Sequence, residues 1–118
     1  MCKFVPQEKE LFLKHLIMIR HIVMWKLKAE AEGKTKAENA LIIKESLEAL
    51  KGVAPTLVDI EVGLNDPETP ESNYDVVLNC TFASVADLND YQVHPAHQAA
   101  AVYIKKVVEE RVCVDYQY

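Results

Sequence analysis

Ile19-Arg20-His21-Ile22-Val23-Met24-Trp25-Lys26-Leu27-Lys28 alternates along its length, with Ile19, His21, Val23, Trp25 and Leu27 on one face and Arg20, Ile22, Met24, Lys26 and Lys28 on the other. Successive side chains of an extended chain point to opposite faces, so the stretch reads as a strand. Both faces are partly apolar, and each has to be covered. Helices of the same chain are expected on one side and something else on the other. His21 falls on the aromatic-rich face, where it is either a hydrogen-bonded core histidine or a pocket residue.

Working outward, residues 29–36 form a short polar connection containing Gly33. Residues 36–50 read as a helix, with Ala40, Ile43, Leu47 and Leu50 along one stripe, Gly52 as its stop and Pro55 preventing resumption. Val58, Ile60, Val62 and Leu64 alternate with Asp59 and Glu61 to give a second strand. The acidic, turn-rich residues 65–73 are a solvated loop, and Asp66, Glu68 and Glu71 lack the spacing of a calcium loop. Tyr74 to Phe82 alternates as a third strand, joined to the second as a hairpin. Ser84, three residues ahead of Asp87, resembles a capping box and opens a helical turn to about residue 91. Residues 95–108 are a second long helix, and residues 111–118 a closing strand. The order β-α-β-β-α-β predicts an α+β, ferredoxin-like fold: one four-stranded antiparallel sheet with helices on one face.

Two helices cover one face of such a sheet. The other is expected to show Val23, Trp25, Leu27, part of the third strand and the aromatic C-terminal strand, more apolar surface than a monomer exposes. A two-fold homodimer joined through the open sheet faces would bury it and close an interior between the sheets.

Half of the 118 residues are hydrophobic, so a single core is feasible without metal or disulfide staples. The net charge of -5 excludes a nucleic-acid surface, which needs clustered Lys and Arg. Cys2, Cys80 and Cys113 are odd in number and unrelated in spacing, which predicts buried free thiols in a reducing cytoplasm. No apolar run approaches a membrane span, and the first residues are too charged for a signal peptide. Phe12, Leu13, Leu16 and Ile17 fit one helical stripe, so residues 1–17 are expected to be a short helical extension ahead of a domain spanning 18–118.

Asp90-Tyr91-Gln92-Val93-His94-Pro95-Ala96-His97-Gln98 brings together a phenol and two imidazoles. Proline suits the first position of a helix, so His94 flanks the helix start and His97 lies in its first turn. His94 and His97 offer two metal ligands, but nothing in the sequence completes a set, and no metal is expected. In the purely structural alternative, His94 caps the helix through its ring and His97 hydrogen-bonds Tyr91.

Residues 19–28, Tyr74-Asp75 with its strand to Thr81-Phe82, Asp90-Tyr91 through His94-Pro95-Ala96-His97, and Val114-Asp115-Tyr116 together resemble the stress-responsive α/β-barrel (Dabb) family. The resemblance spans about residues 18–118 in order, and His-Pro-Ala-His is its most specific part. It implies a dimeric ferredoxin-like α/β barrel. The family includes plant stress proteins and a plant polyketide cyclase, in which a Tyr and the second His of the His-Pro-x-His motif act without a cofactor. By motif position these are Tyr91 and His97, the strand-one histidine is His21, and a further imidazole of that cyclase is replaced by Val76.

Two functions are therefore expected. In one, His21, Val23, Trp25, Val76, Leu78 and His94 line a pocket around a small, largely apolar ligand. In the other, the same pocket is a cofactor-independent cyclase or isomerase of a keto or polyketide-like substrate. Neutral His97 removes a proton beside a carbonyl, and Tyr91 donates a hydrogen bond to the enolate oxygen. In both, the pair faces the chamber between the two sheets.

Overall fold

Residues 17–118 are described in the computed structural model, and their elements follow the order β1 (Ile19–Leu27), β2 (Glu30–Ala31), β3 (Lys34–Thr35), α1 (Lys36–Glu48), β4 (Asp59–Leu64), β5 (Val76–Phe82), α2 (Val85–Val93), α3 (Pro95–Val107) and β6 (Val108–Gln117). The main sheet has four strands in the order β4-β5-β1-β6, every neighbouring pair antiparallel. This is the predicted ferredoxin-like α+β arrangement, with a small β2–β3 hairpin inserted after the first strand. The helix expected over residues 1–17 lies, apart from Ile17, outside the described residues.

Register decides which residues share a face. Val23 lies opposite Leu78 on one side and Cys113 on the other, and His21 lies opposite Cys80 and Asp115. The face carrying Ile19, Val23, Trp25, Leu27, Val76, Leu78, Cys80, Phe82, Ile60 and Val62 is buried against Ile43 and Leu47 of α1, Leu88 of α2 and Ile104 and Val107 of α3. Val23, Trp25 and Leu27 therefore sit under the helices and not on the open face, contrary to the expectation from sequence. The physical reason is size: the helices cover the side on which more apolar surface can leave water. The open face instead carries Ile22 with the exposed Met24, Val77, Val112, Val114 and Tyr116.

The helices do not extend over the edge strand β6, whose residues beyond Val108 are exposed on both faces. Cys113 accordingly is exposed, while Cys80 is buried. The expectation of buried thiols fails at Cys113 because an edge strand has cover only where a neighbour reaches over it.

Local chemistry sets the connections. Glu32 and Gly33 both have positive φ, 54° and 71°, as the tight two-residue turn of a twisted hairpin requires. Thr35 caps α1 by accepting from the Glu38 N–H, and the Glu38 carboxylate accepts the Thr35 N–H in return. The buried Asn39 donates to the Ala31 carbonyl at 3.1 Å and accepts from the Tyr103 hydroxyl, tying the hairpin, α1 and α3 together. At the β4 edge, Lys44 donates to the Val62 carbonyl at 2.6 Å and Glu48 accepts the Val62 N–H at 3.2 Å, which blunts an edge open to further pairing. Asp75 ends β1 by accepting the Leu27 N–H at 2.8 Å.

Candidate functional site

The predicted Tyr91 to His97 stretch is the joint between α2 and α3. Ser84 starts α2 by accepting the Asp87 N–H at 3.1 Å, and α2 stops at Val93 because Pro95 cannot extend it. His94 between them is extended, and its Nδ1 accepts the Ala96 N–H at 3.1 Å as the cap of α3. The His94 ring is thus committed to the cap.

Ending α2 leaves the Gln92 carbonyl without an intrahelical donor. His97 Nδ1 fills that role at 3.1 Å, together with the Gln98 side-chain amide at 3.1 Å. A carbonyl only accepts, so Nδ1 carries the proton and the neutral ring keeps its lone pair on Nε2. Burial holds the His97 pKa below its ordinary value; the Gln92 carbonyl works against this, and the positive charge of Arg111 reinforces it.

Tyr91 is 1% exposed, its ring packed 5.1 Å from Phe82 and 4.6 Å from His97 between centroids. The expected Tyr91–His97 hydrogen bond is absent. The two rings touch by their tilted faces, and the Tyr91 hydroxyl is buried with no hydrogen-bond partner among the described residues. Burial pushes the phenol pKa far up and the neighbouring Cys80 adds to it, so Tyr91 stays a protonated donor. Burial likewise pushes the Cys80 thiol up to about 12.

A cavity of about 440 Å³ opens between the sheet and α3. His21, Val23 and Trp25 of β1 form one wall, Leu47 of α1 and Ile104 of α3 another, and His97 sits on its rim beside Gln92 and Gln98. Of the residues predicted for the site, His21, Val23, Trp25 and His97 are brought together here. Tyr91 lies behind His97, Val76 and Leu78 are buried in the core, and His94 stays at its cap, so none of these four lines the cavity. The cavity lies within one chain, between its sheet and its helices. That differs from the expected chamber between two sheets, and follows from the reversed assignment of the faces of β1.

Sequence reasoning overlooked Lys105, Arg111 and Asp115. Lys105 and Arg111 line the cavity, and Asp115 accepts from His21 Nδ1 at 2.5 Å. Asp115 could have been found from register, since the closing strand pairs with β1 and sets Asp115 opposite His21. The Cys113 sulfur is 3.6 Å from the same nitrogen. His21, Cys113 and Asp115 present donor atoms within 4.8 Å of one another and are the group, among the described residues, that could hold a metal ion. As they stand, the carboxylate is taken by His21, and burial, reinforced by Asp115, raises the Cys113 pKa and keeps the thiol protonated.

The family described as Stress Responsive A/B Barrel Domain matches residues 19–118. The chain belongs to this family. Olivetolic acid cyclase from Cannabis sativa is 26% identical to this A/B barrel protein over 99 residues, covering 83% of the chain and 94% of the cyclase. A dimeric protein of ferredoxin-like fold from Bacteroides fragilis is 31% identical with a TM-score of 0.70, covering 86% of this chain and 96% of its own. A dimeric ferredoxin-like protein from Jannaschia sp. CCS1 is 28% identical with a TM-score of 0.65, covering 86% and 99%. Within this A/B barrel, His-Pro-Ala-His is the turn that joins α2 to α3 and so places His97 at the cavity rim.

Proposed function

We propose that this A/B barrel protein is a cytoplasmic homodimer that takes a small, largely apolar ligand into the cavity between β1 and α3. The observation that carries the reading is the cavity itself. Its floor is the buried, apolar pair Val23 and Trp25, and the neutral imidazole of His97 stands at its rim. Pockets that bind small organic molecules combine apolar walls with a few placed polar groups in this way. Dimerisation through the open sheet face is supported by its exposed apolar residues and by the dimeric relatives from Bacteroides fragilis and Jannaschia. The free thiols of Cys80 and Cys113 suit a reducing compartment.

A second reading, cofactor-independent cyclisation or isomerisation, is favoured by the His97 imidazole at the cavity rim, whose Nδ1 is fixed by the Gln92 carbonyl and whose ring is packed on Tyr91. His97 Nε2 would take the proton beside a substrate carbonyl, the C–H electron pair moving into an enolate, while Tyr91, buried behind His97, braces the imidazole from the side away from the cavity. The enolate carbon then attacks a second carbonyl of the same molecule, or is reprotonated elsewhere, and His97 returns its proton. Similarity to the cyclase supports this chemistry.

The test is a melting-temperature titration with aromatic keto acids, since a ligand selective for the folded state stabilises it. A rise in wild type that disappears in Ala101→Trp, which fills the cavity from α3, is the expected result. A rise unchanged by the tryptophan would place the ligand elsewhere. For the second reading, His97→Ala is expected to abolish turnover while leaving ligand affinity within about twofold.

A further inference from the structure

Charge is distributed unevenly around the cavity. Its deep wall holds the buried Val23, Trp25 and Leu47, whereas Lys105 of α3 and Arg111 of β6 line it as exposed residues, on two different elements. Among the described residues no aspartate or glutamate lines the cavity, although the chain has 18 such residues and a net charge of -5. Lys105 and Arg111 have no ion pair among the described residues, which they share with Arg20, Lys26, Lys28 and Lys34; what sets the two apart is that they line the cavity. Asp115, which shares the Arg111 face of β6, is held by His21. Arg111 faces the helix side opposite Trp25, and its charge is felt at His97.

An acidic protein repels anions over most of its surface, so two uncompensated cations at the solvent end of an apolar cavity create a local field of opposite sign. Each is relieved of its neighbour's repulsion when an anion sits between them, and a guanidinium adds planar, paired donors that match an oxyanion. We propose that Lys105 and Arg111 select ligands that carry an oxyanion, foremost a carboxylate, at one end of an apolar body. The assignment rests on the reading of the cavity as a ligand site and specifies which ligands it takes. The acid group lies at the mouth between α3 and β6, the apolar body reaches Val23 and Trp25, and any reacting carbonyl falls between them, beside His97.

The test uses a panel of one- and two-ring aryl carboxylates, each paired with its uncharged primary amide and its aryl phosphate, titrated against the full chain by calorimetry. Wild type is expected to bind the acids about five- to tenfold tighter than the amides, the modest factor reflecting exposed, screened cations. Arg111→Gln and Lys105→Gln are each expected to shrink that preference while leaving amide affinity unchanged, and raised salt is expected to shrink it in wild type. Phosphates binding at least as tightly as carboxylates would show a general oxyanion site and overturn the carboxylate preference. Equal affinity for acid and amide would overturn the assignment while leaving the cavity as a binding site. Binding of neither would overturn both, and a preference that survives both glutamine variants would remove it from Lys105 and Arg111.

Discussion

A buried hydroxyl without a good partner costs its desolvation, on the order of 1–3 kcal/mol, and among the described residues the Tyr91 hydroxyl has only the weakly bonding Cys80 thiol beside it. Tyr91→Phe keeps the ring between Phe82 and His97 and removes only the unpaired oxygen. It is expected to stabilise the fold by about 1 kcal/mol, seen as a higher urea midpoint at unchanged slope. A lower midpoint would mean that the hydroxyl is bonded in the folded state. His97 gives a second prediction at this scale. Its folded pKa lies below the ordinary 6.5, so between those two values the unfolded chain binds more protons than the folded one. The stability that depends on a neutral His97 is fully present above pH 6.5 and is lost as pH falls from there through the folded pKa. An NMR titration of its ring protons should give a midpoint under 6.5; one at or above it would refute the buried, neutral assignment.

At the scale of elements, helix starts depend on single side chains. The reciprocal bonds between Thr35 and Glu38 hold the first turn of α1, and Thr35→Ala is expected to cost about 1 kcal/mol in chemical denaturation. A cost within error of zero would show that packing of Ile43 and Leu47 alone fixes the helix start. The strands β1, β4 and β5 were readable from alternation, and α3 from its opening proline, since each pattern is local and long enough to recur. The hairpin of β2 and β3 was not, because two-residue strands contain no period to detect. Nor was the role of Asn39, whose carbonyl and amide find partners in Tyr103 and Ala31, one of them on a helix far along the chain.

For the whole molecule, the open sheet face is the feature that controls assembly. Val112, Val114 and Tyr116 of β6 stand beside Met24 of β1 and are all exposed in the single chain. If two copies bury this face, Val114→Asp places an unpaired charge in the interface, and light scattering should show the dimer replaced by a species near 13.4 kDa. A dimer that persists would move the interface to another surface.

The alternation of residues 19–28, the helical stripes and the punctuation by Gly52 and Pro95 were enough to specify the elements and their ferredoxin-like order, since propensity and periodicity act over a few neighbouring residues. They also located His97 in the first turn of its helix. Which face of β1 the helices cover was beyond them, because both faces are partly apolar and the choice is made by total burial once all four strands are in register. That choice moved the cavity from between two sheets to beneath α3. It set Asp115 against His21, a contact between residues too distant in sequence for any local pattern to record, and brought Lys105 and Arg111 to a cavity walled by the remote strand β1.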